Sequence, residues 1–262
     1  MGRFRWLEMD GRAPGGNGPL AAPGQPELDE SACLARGDQL LRQGQYESAL
    51  QWYSRALRYA IDLEEAWVGQ VCCLLGLEEN VEANIWADRG LERFPDSPDL
   101  LAAKAMALAR TRGAATAMAY SDAALSVKGR PVGPYPWIVR GDLLLNNGAE
   151  ENAQRCFQKA IEIAGGDWYT HYCVGLSFLR KRRPEEALLW FARGAELERR
   201  NPMLLCEIGR CYEESGETEA AIGAYRRARE ADARCKVARE RLTELEGIGP
   251  LRRAWRRLWR GR

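Results

Sequence analysis

Lysine is nearly absent from this 262-residue chain: five lysines stand against 33 arginines. That ratio follows codon usage in a GC-rich genome and points to a bacterial source. Histidine is scarcer still, with His171 alone. The eight cysteines, Cys33, Cys72, Cys73, Cys156, Cys173, Cys206, Cys211 and Cys235, include no Cys-X-X-Cys pair. With a single imidazole beside them, no metal site is expected. No run of about 18 uncharged apolar residues occurs, so no transmembrane helix is expected. Met1 to Leu7 lacks the apolar run of a secretory signal, and Trp6 stands where N-myristoylation needs Ser or Thr. The expected location is the cytoplasm, with thiols reduced rather than paired.

Catalysis finds little to build on. A base, a nucleophile or a metal would have to converge in a pocket. His171 falls at a helix-start place suited to a bulky packing residue, and the cysteines fall where small apolar residues are wanted. Gly15-Gly16-Asn17-Gly18 has no following Lys-Ser/Thr and no preceding strand, so it makes no phosphate loop. No enzyme activity, catalytic residue, cofactor or small-molecule substrate is expected.

What is present is a folded body with unlike ends. Hydrophobic residues make up 46% and charged residues 29%, enough for a substantial core and too apolar for a wholly disordered chain. The net charge of +1 conceals an asymmetry: residues 251–262 carry six arginines and no acid, which leaves the rest at −5. Residues 11–26 hold five glycines and four prolines. Such a stretch cannot offset its ordering entropy by burial, so 1–29 reads as a flexible leader.

From Glu30 onward the chain repeats itself. Ala49, Ala83, Ala117, Ala153, Ala187 and Ala221 follow one another at gaps of 34, 34, 36, 34 and 34. Twelve residues before each stand Gly37, Val71, Ala105, Gly141, Gly175 and Gly209; four after each stand Tyr53, Ala87, Ser121, Phe157, Phe191 and Tyr225. Small residues belong where two helix backbones approach, and large ones fill the space beside them. A fixed period near 34 therefore predicts stacked helical hairpins. Gly44, Gly148 and Gly216 are placed to end first helices, since glycine adopts the left-handed conformation at little cost.

This array resembles the tetratricopeptide repeat family, whose unit is a 34-residue helix–turn–helix. The resemblance implies an all-α, right-handed superhelical solenoid of six units, 30–63, 64–97, 98–131, 134–167, 168–201 and 202–235. Trp67 and Trp137 open units two and four in the family manner, whereas the end-of-repeat proline is met only by Pro95, and Ser121 replaces the aromatic of unit three. Between units three and four, Pro131, Pro134 and Pro136 cannot sit inside a helix and predict a change of stacking there. Residues 236–247 are expected to form a capping helix, with Val237, Leu242 and Leu245 covering the last repeat. Trp52, Trp86 and Trp190 share one register place and read as inter-repeat packing, and Arg180–Arg183 as a solvated turn.

In that family the first helices line a concave groove. Carried over place by place, the groove-facing residues are Val68 and Cys72 in unit two and Met106 in unit three. Unit four supplies Tyr135, Ile138 and Asp142, unit five Tyr169, Tyr172 and Leu176, and unit six Met203 and Arg210. Chaperone-binding members clamp a carboxylate with lysine and asparagine at such places. Leu34 and Asp38 stand there in unit one, which argues against that role. The mostly apolar, aromatic lining implies a scaffold or adaptor that binds another protein through a helical or apolar segment. The same residues would serve equally as packing between repeats or against the leader.

The last segment, 248–262, offers a second surface. Leu251, Trp255, Leu258 and Trp259 recur at helical spacing, with Arg252, Arg253, Arg256, Arg257 and Arg260 mostly opposite. That pattern suits an anionic membrane interface, and the alternative function is a membrane-surface assembly factor, peripheral at the inner face. Packing on the array, docking to a partner, or a disordered basic end would use the same residues. Nucleic acid is not expected, because the body has no basic face interleaved with aromatics.

Overall fold

The computed structural model describes residues 29–111 and 113–247. Every regular element among them is an α-helix. The described chain divides into two compact units between Arg130 and Pro131.

The first unit holds α1 (Glu30–Arg42), α2 (Tyr46–Tyr59), α3 (Glu64–Gly76), α4 (Asn80–Arg93), α5 (Pro98–Arg110) and α6 (Ala114–Ser126). The second holds α7 (Pro134–Asn146), α8 (Glu150–Ala164), α9 (Trp168–Arg180), α10 (Pro184–Leu197), α11 (Pro202–Glu214), α12 (Thr218–Ala231) and α13 (Lys236–Gly247). Consecutive helices pair as hairpins. First helices also touch first helices, α1 on α3, α3 on α5 and α7 on α9, as stacked hairpins require.

Local chemistry explains where these helices begin and end. Ser97 caps α5 by accepting the Leu100 N–H, Asp167 caps α9 by accepting from Tyr169, and Asn201 caps α11 by accepting from Met203 and Leu204. Pro98, Pro134, Pro184 and Pro202 stand in first turns, where the missing N–H costs nothing. Pro134 and Pro136 therefore lie inside α7, contrary to expectation; of the three prolines only Pro131 stays outside it. Gly44, Gly148 and Gly216 take positive φ of 70°, 75° and 81° at the turn between helices. In the hairpins α3–α4 and α9–α10 the same turn is made by Glu78 and Arg182, at φ of 62° and 56°, without glycine.

The alanine series forms the seam of the fold. Ala49, Ala83, Ala117, Ala153, Ala187 and Ala221 are all fully buried. The aromatic four residues later lies against the first helix of its own hairpin. A Cβ at Gly37 would stand 2.8 Å from the Tyr53 ring, one at Gly141 2.3 Å from Phe157, one at Gly175 2.6 Å from Phe191, and one at Gly209 2.8 Å from Tyr225. Tyr53 also fills the notch at Gly69 of the following hairpin, where a Cβ would come within 2.3 Å of its ring. Glycine is required at these places because the ring occupies the volume a methyl would need.

The last hairpin is covered by α13 through Ala238, Leu242 and Leu245. Val237, expected on that face, is exposed instead. Ala238, Leu242 and Leu245 follow at i, i+4 and i+7, and Val237 is turned about 100° from that stripe.

Candidate functional site

The residues assigned to the groove fall into two layers. Met106 on α5, Ile138 and Asp142 on α7, and Tyr172 on α9 are between 4 and 6% exposed. Val68 and Cys72 on α3, Tyr135 on α7, Tyr169 and Leu176 on α9, and Met203 on α11 are half-buried, and Arg210 on α11 is exposed. In the second unit the buried layer is continuous with the core: Ile138, Tyr172 and Leu179 belong to one cluster, and Tyr169, Leu176 and Met203 pack against it. The Tyr169 ring stacks on Tyr172 at 5.6 Å and meets Trp168 edge-on at 5.5 Å. Such ring pairs hold side chains in one orientation.

Ion pairs tie this surface down. Asp142 is buried and receives the Arg180 guanidinium at 2.7 Å, a bond spanning 38 residues from α7 to the end of α9. Arg183, in the following turn, reaches Glu150 of the preceding hairpin at 2.9 Å and Glu186 at 2.7 Å. Arg180–Arg183 is thus no purely solvated turn: two of its members bind neighbouring elements. Arg210 pairs with Glu214 at 3.1 Å and lies 3.6 Å from Glu207, whose carboxyl is pushed up by burial. In the first unit Lys104, buried on α5, pairs with Asp88 and lies under the Tyr120 ring at 4.7 Å. The hydroxyls of Tyr53 and Tyr225 donate to Asp38 and Glu213 at 2.7 and 2.6 Å. Sequence reading missed these partnerships. Two of them, Asp142 with Arg180 and Glu150 with Arg183, join opposite charges about one repeat apart.

His171 packs its ring 5.9 Å from Trp190 in a buried position, and burial followed by the charge of Arg193 holds its pKa below 6.5. Trp190 also meets Phe157 of the preceding hairpin at 6.5 Å, and Trp86 meets Trp67 at 5.8 Å, so both pack between elements. No disulfide joins any of the eight cysteines. Burial raises Cys33, Cys73 and Cys156 and pushes Cys211 up to about 12, which keeps them protonated and poorly nucleophilic. Among the described residues no cluster of three His, Cys, Asp or Glu side chains could hold a metal ion, and no helix is long and apolar enough to cross a membrane. A depression of about 390 Å³ on α13 is lined by Arg239, Glu240, Thr243 and Glu244 and opens widely to solvent. It is an open gap between side chains of one helix, without the enclosure of a ligand site. The tail residues from Leu251 to Arg260, like the leader, lie outside the described residues.

Comparison with known proteins agrees with this geometry. Two family profiles, both for the tetratricopeptide repeat, match residues 34–98 and 175–234 and residues 135–167. Anaphase-promoting complex subunit 3 of Schizosaccharomyces pombe is 26% identical over 163 residues, 62% of this chain and 24% of the relative. The chain therefore spans about a quarter of that relative's length. A tetratricopeptide repeat protein from Parabacteroides merdae shares the fold at TM-score 0.50 and 18% identity, covering 86% of each chain. The human IFIT1 dimer with PPP-AAAA does so at TM-score 0.58 and 14% identity, over 87% of this chain and 57% of that one. The buried alanine series, the glycine–aromatic contacts and these matches together place the chain in the tetratricopeptide repeat family.

Proposed function

We propose that this protein is an interaction scaffold organised as six repeats over 30–235 with a cap over 236–247. In this reading its second unit seats an amphipathic helix or apolar extended segment on α7, α9 and α11. One observation carries it: half-exposed Tyr169, Leu176 and Met203 stand on a buried layer of Ile138, Tyr172 and Leu179. A rigid aromatic floor under accessible apolar tips loses little entropy on binding. Exposed Arg210, paired with Glu214, adds a charged residue on α11. Membership of the family supports a protein partner, and the likeness to a subunit of a multiprotein complex supports work within an assembly. Half-buried Val68 and Cys72 on α3, with buried Met106 on α5, give the first unit a smaller surface of the same kind.

The test is Tyr169→Asp with Leu176→Asp in the full chain. Both side chains are half-exposed, so helical content by circular dichroism should be retained. Affinity for crosslink-identified partners should fall about tenfold or more. Capture of the same partners at wild-type strength would refute the reading.

A second reading rests on the spacing of Leu251, Trp255, Leu258 and Trp259. We propose that the arginine-flanked tail attaches the protein to anionic membrane at its inner face. Trp255→Ser with Trp259→Ser should abolish co-sedimentation with anionic vesicles, and undiminished sedimentation would count against it.

A further inference from the structure

We propose that Cys206 and Cys235 are an oxidisable thiol pair that fastens α13 to α11. Their Sγ atoms lie 3.6 Å apart although the residues are 29 apart in sequence. Cys206 is buried on α11; Cys235 is half-buried and immediately precedes α13, its carbonyl accepting the Arg239 N–H at 3.2 Å. The pair therefore bridges the start of the terminal helix and the hairpin it covers. A disulfide needs the sulfurs at about 2.05 Å, so the pair must close by about 1.5 Å.

The oxidant is a low-molecular-weight disulfide. Cys206 is buried and Cys235 half-buried, so the first attack falls to the more accessible Cys235. Its thiolate attacks one sulfur of the small disulfide; that S–S bond breaks and the other half leaves as a thiolate. Cys206 then gives up its proton and attacks the Cys235 sulfur of the mixed disulfide. The Cys206–Cys235 bond forms and the second small thiolate departs. Two protein thiols are oxidised, and one small disulfide is reduced to two small thiols.

Oxidation matters here because α13 is the last described element and is held by one apolar stripe, Ala238, Leu242 and Leu245, together with Arg226–Glu246 and Arg241–Glu213. A covalent tie at its first turn removes the route by which a terminal helix frays. The full chain is incubated with glutathione disulfide, alkylated, mapped by peptide mass spectrometry and followed by hydrogen exchange. The expected result is a Cys206–Cys235 crosslinked peptide, the loss of two free thiols, and exchange in α13 slowed about a hundredfold. Dithiothreitol should reverse all three. Cys235→Ser should remove the crosslink and the slowing while leaving reduced-state exchange unchanged. A mixed disulfide stalled on Cys235, crosslinks confined to other cysteines, or a crosslink with unaltered α13 exchange would overturn the proposal.

Discussion

The two units solve one packing problem differently. Residues 131–247 repeat a single answer three times, glycine beneath a ring: Gly141 with Phe157, Gly175 with Phe191 and Gly209 with Tyr225. Residues 29–130 use that pairing within a hairpin once, at Gly37 with Tyr53; Gly69 and Gly76 meet the rings of Tyr53 and Tyr46 from the following hairpin. In the next hairpin the same two places hold Val71 and Ala87, both fully buried, so bulk has moved from the second helix to the first. In the third they hold Ala105 and Ser121, and the buried Ser121 hydroxyl makes no hydrogen bond. That third hairpin is largely passed over by the family matches, which stop at residue 98 and resume at 135. The two places of a hairpin thus share one volume, which a side chain from either helix can fill.

The sharpest test of this comparison is a mutant cycle in the second unit, read by urea unfolding of the full chain. Phe157→Ala should cost about 4 kcal/mol, the price of emptying a fully buried ring site. Gly141→Ala should cost about 2 kcal/mol, because the new methyl meets that ring. Gly141→Val with Phe157→Ala copies the Val71–Ala87 arrangement and should lose at least about 1 kcal/mol less than the two single changes combined. Simple additivity would break the argument from joint volume.

A smaller effect is expected in the first unit. Ser121→Ala removes a buried hydroxyl that has no partner and should stabilise that unit by about 1 kcal/mol. A loss of stability would show that the hydroxyl is held after all.

The smallest effect concerns pH. The described part of the first unit contains no histidine, whereas the second buries His171. Its folded-state pKa lies below the model-compound 6.5, so the native state binds fewer protons than the unfolded chain. The stability this contributes is complete above pH 6.5 and declines as pH falls below it. Hydrogen exchange between pH 7 and 5, corrected for intrinsic rates, should show more opening around α9 and α10 at low pH. His171→Phe should flatten that trend, while the first unit should lack a histidine-linked component.

Much of the fold was legible because the hairpin seam recurs. Six alanines at near-constant spacing mark close helix approach, and all six are buried. The resemblance also placed the candidate surface, but only coordinates separate its layers: Tyr172 and Tyr169 are alike in the sequence, yet one is buried and the other half-exposed. Pro134 and Pro136 were misjudged because a proline that breaks a helix interior is welcome in its first turn. Val237 was misjudged by one residue of helical phase. The Asp142–Arg180 bond was hidden by its 38-residue span, since charge patterning along one helix sees only neighbours three or four places away.

A series of like hairpins contains no internal rule for where to stop, because each one offers the next a matching flank. Here α13 covers the last described one. It gives its single oily stripe to the hairpin behind it and turns Arg239, Glu240, Thr243 and Glu244 outward. Ile222 and Tyr225 share one apolar cluster with Ala238, Leu242 and Leu245, so removing α13 would strip part of their cover. Among the described residues α13 thus gives the second unit's last hairpin a polar outer face.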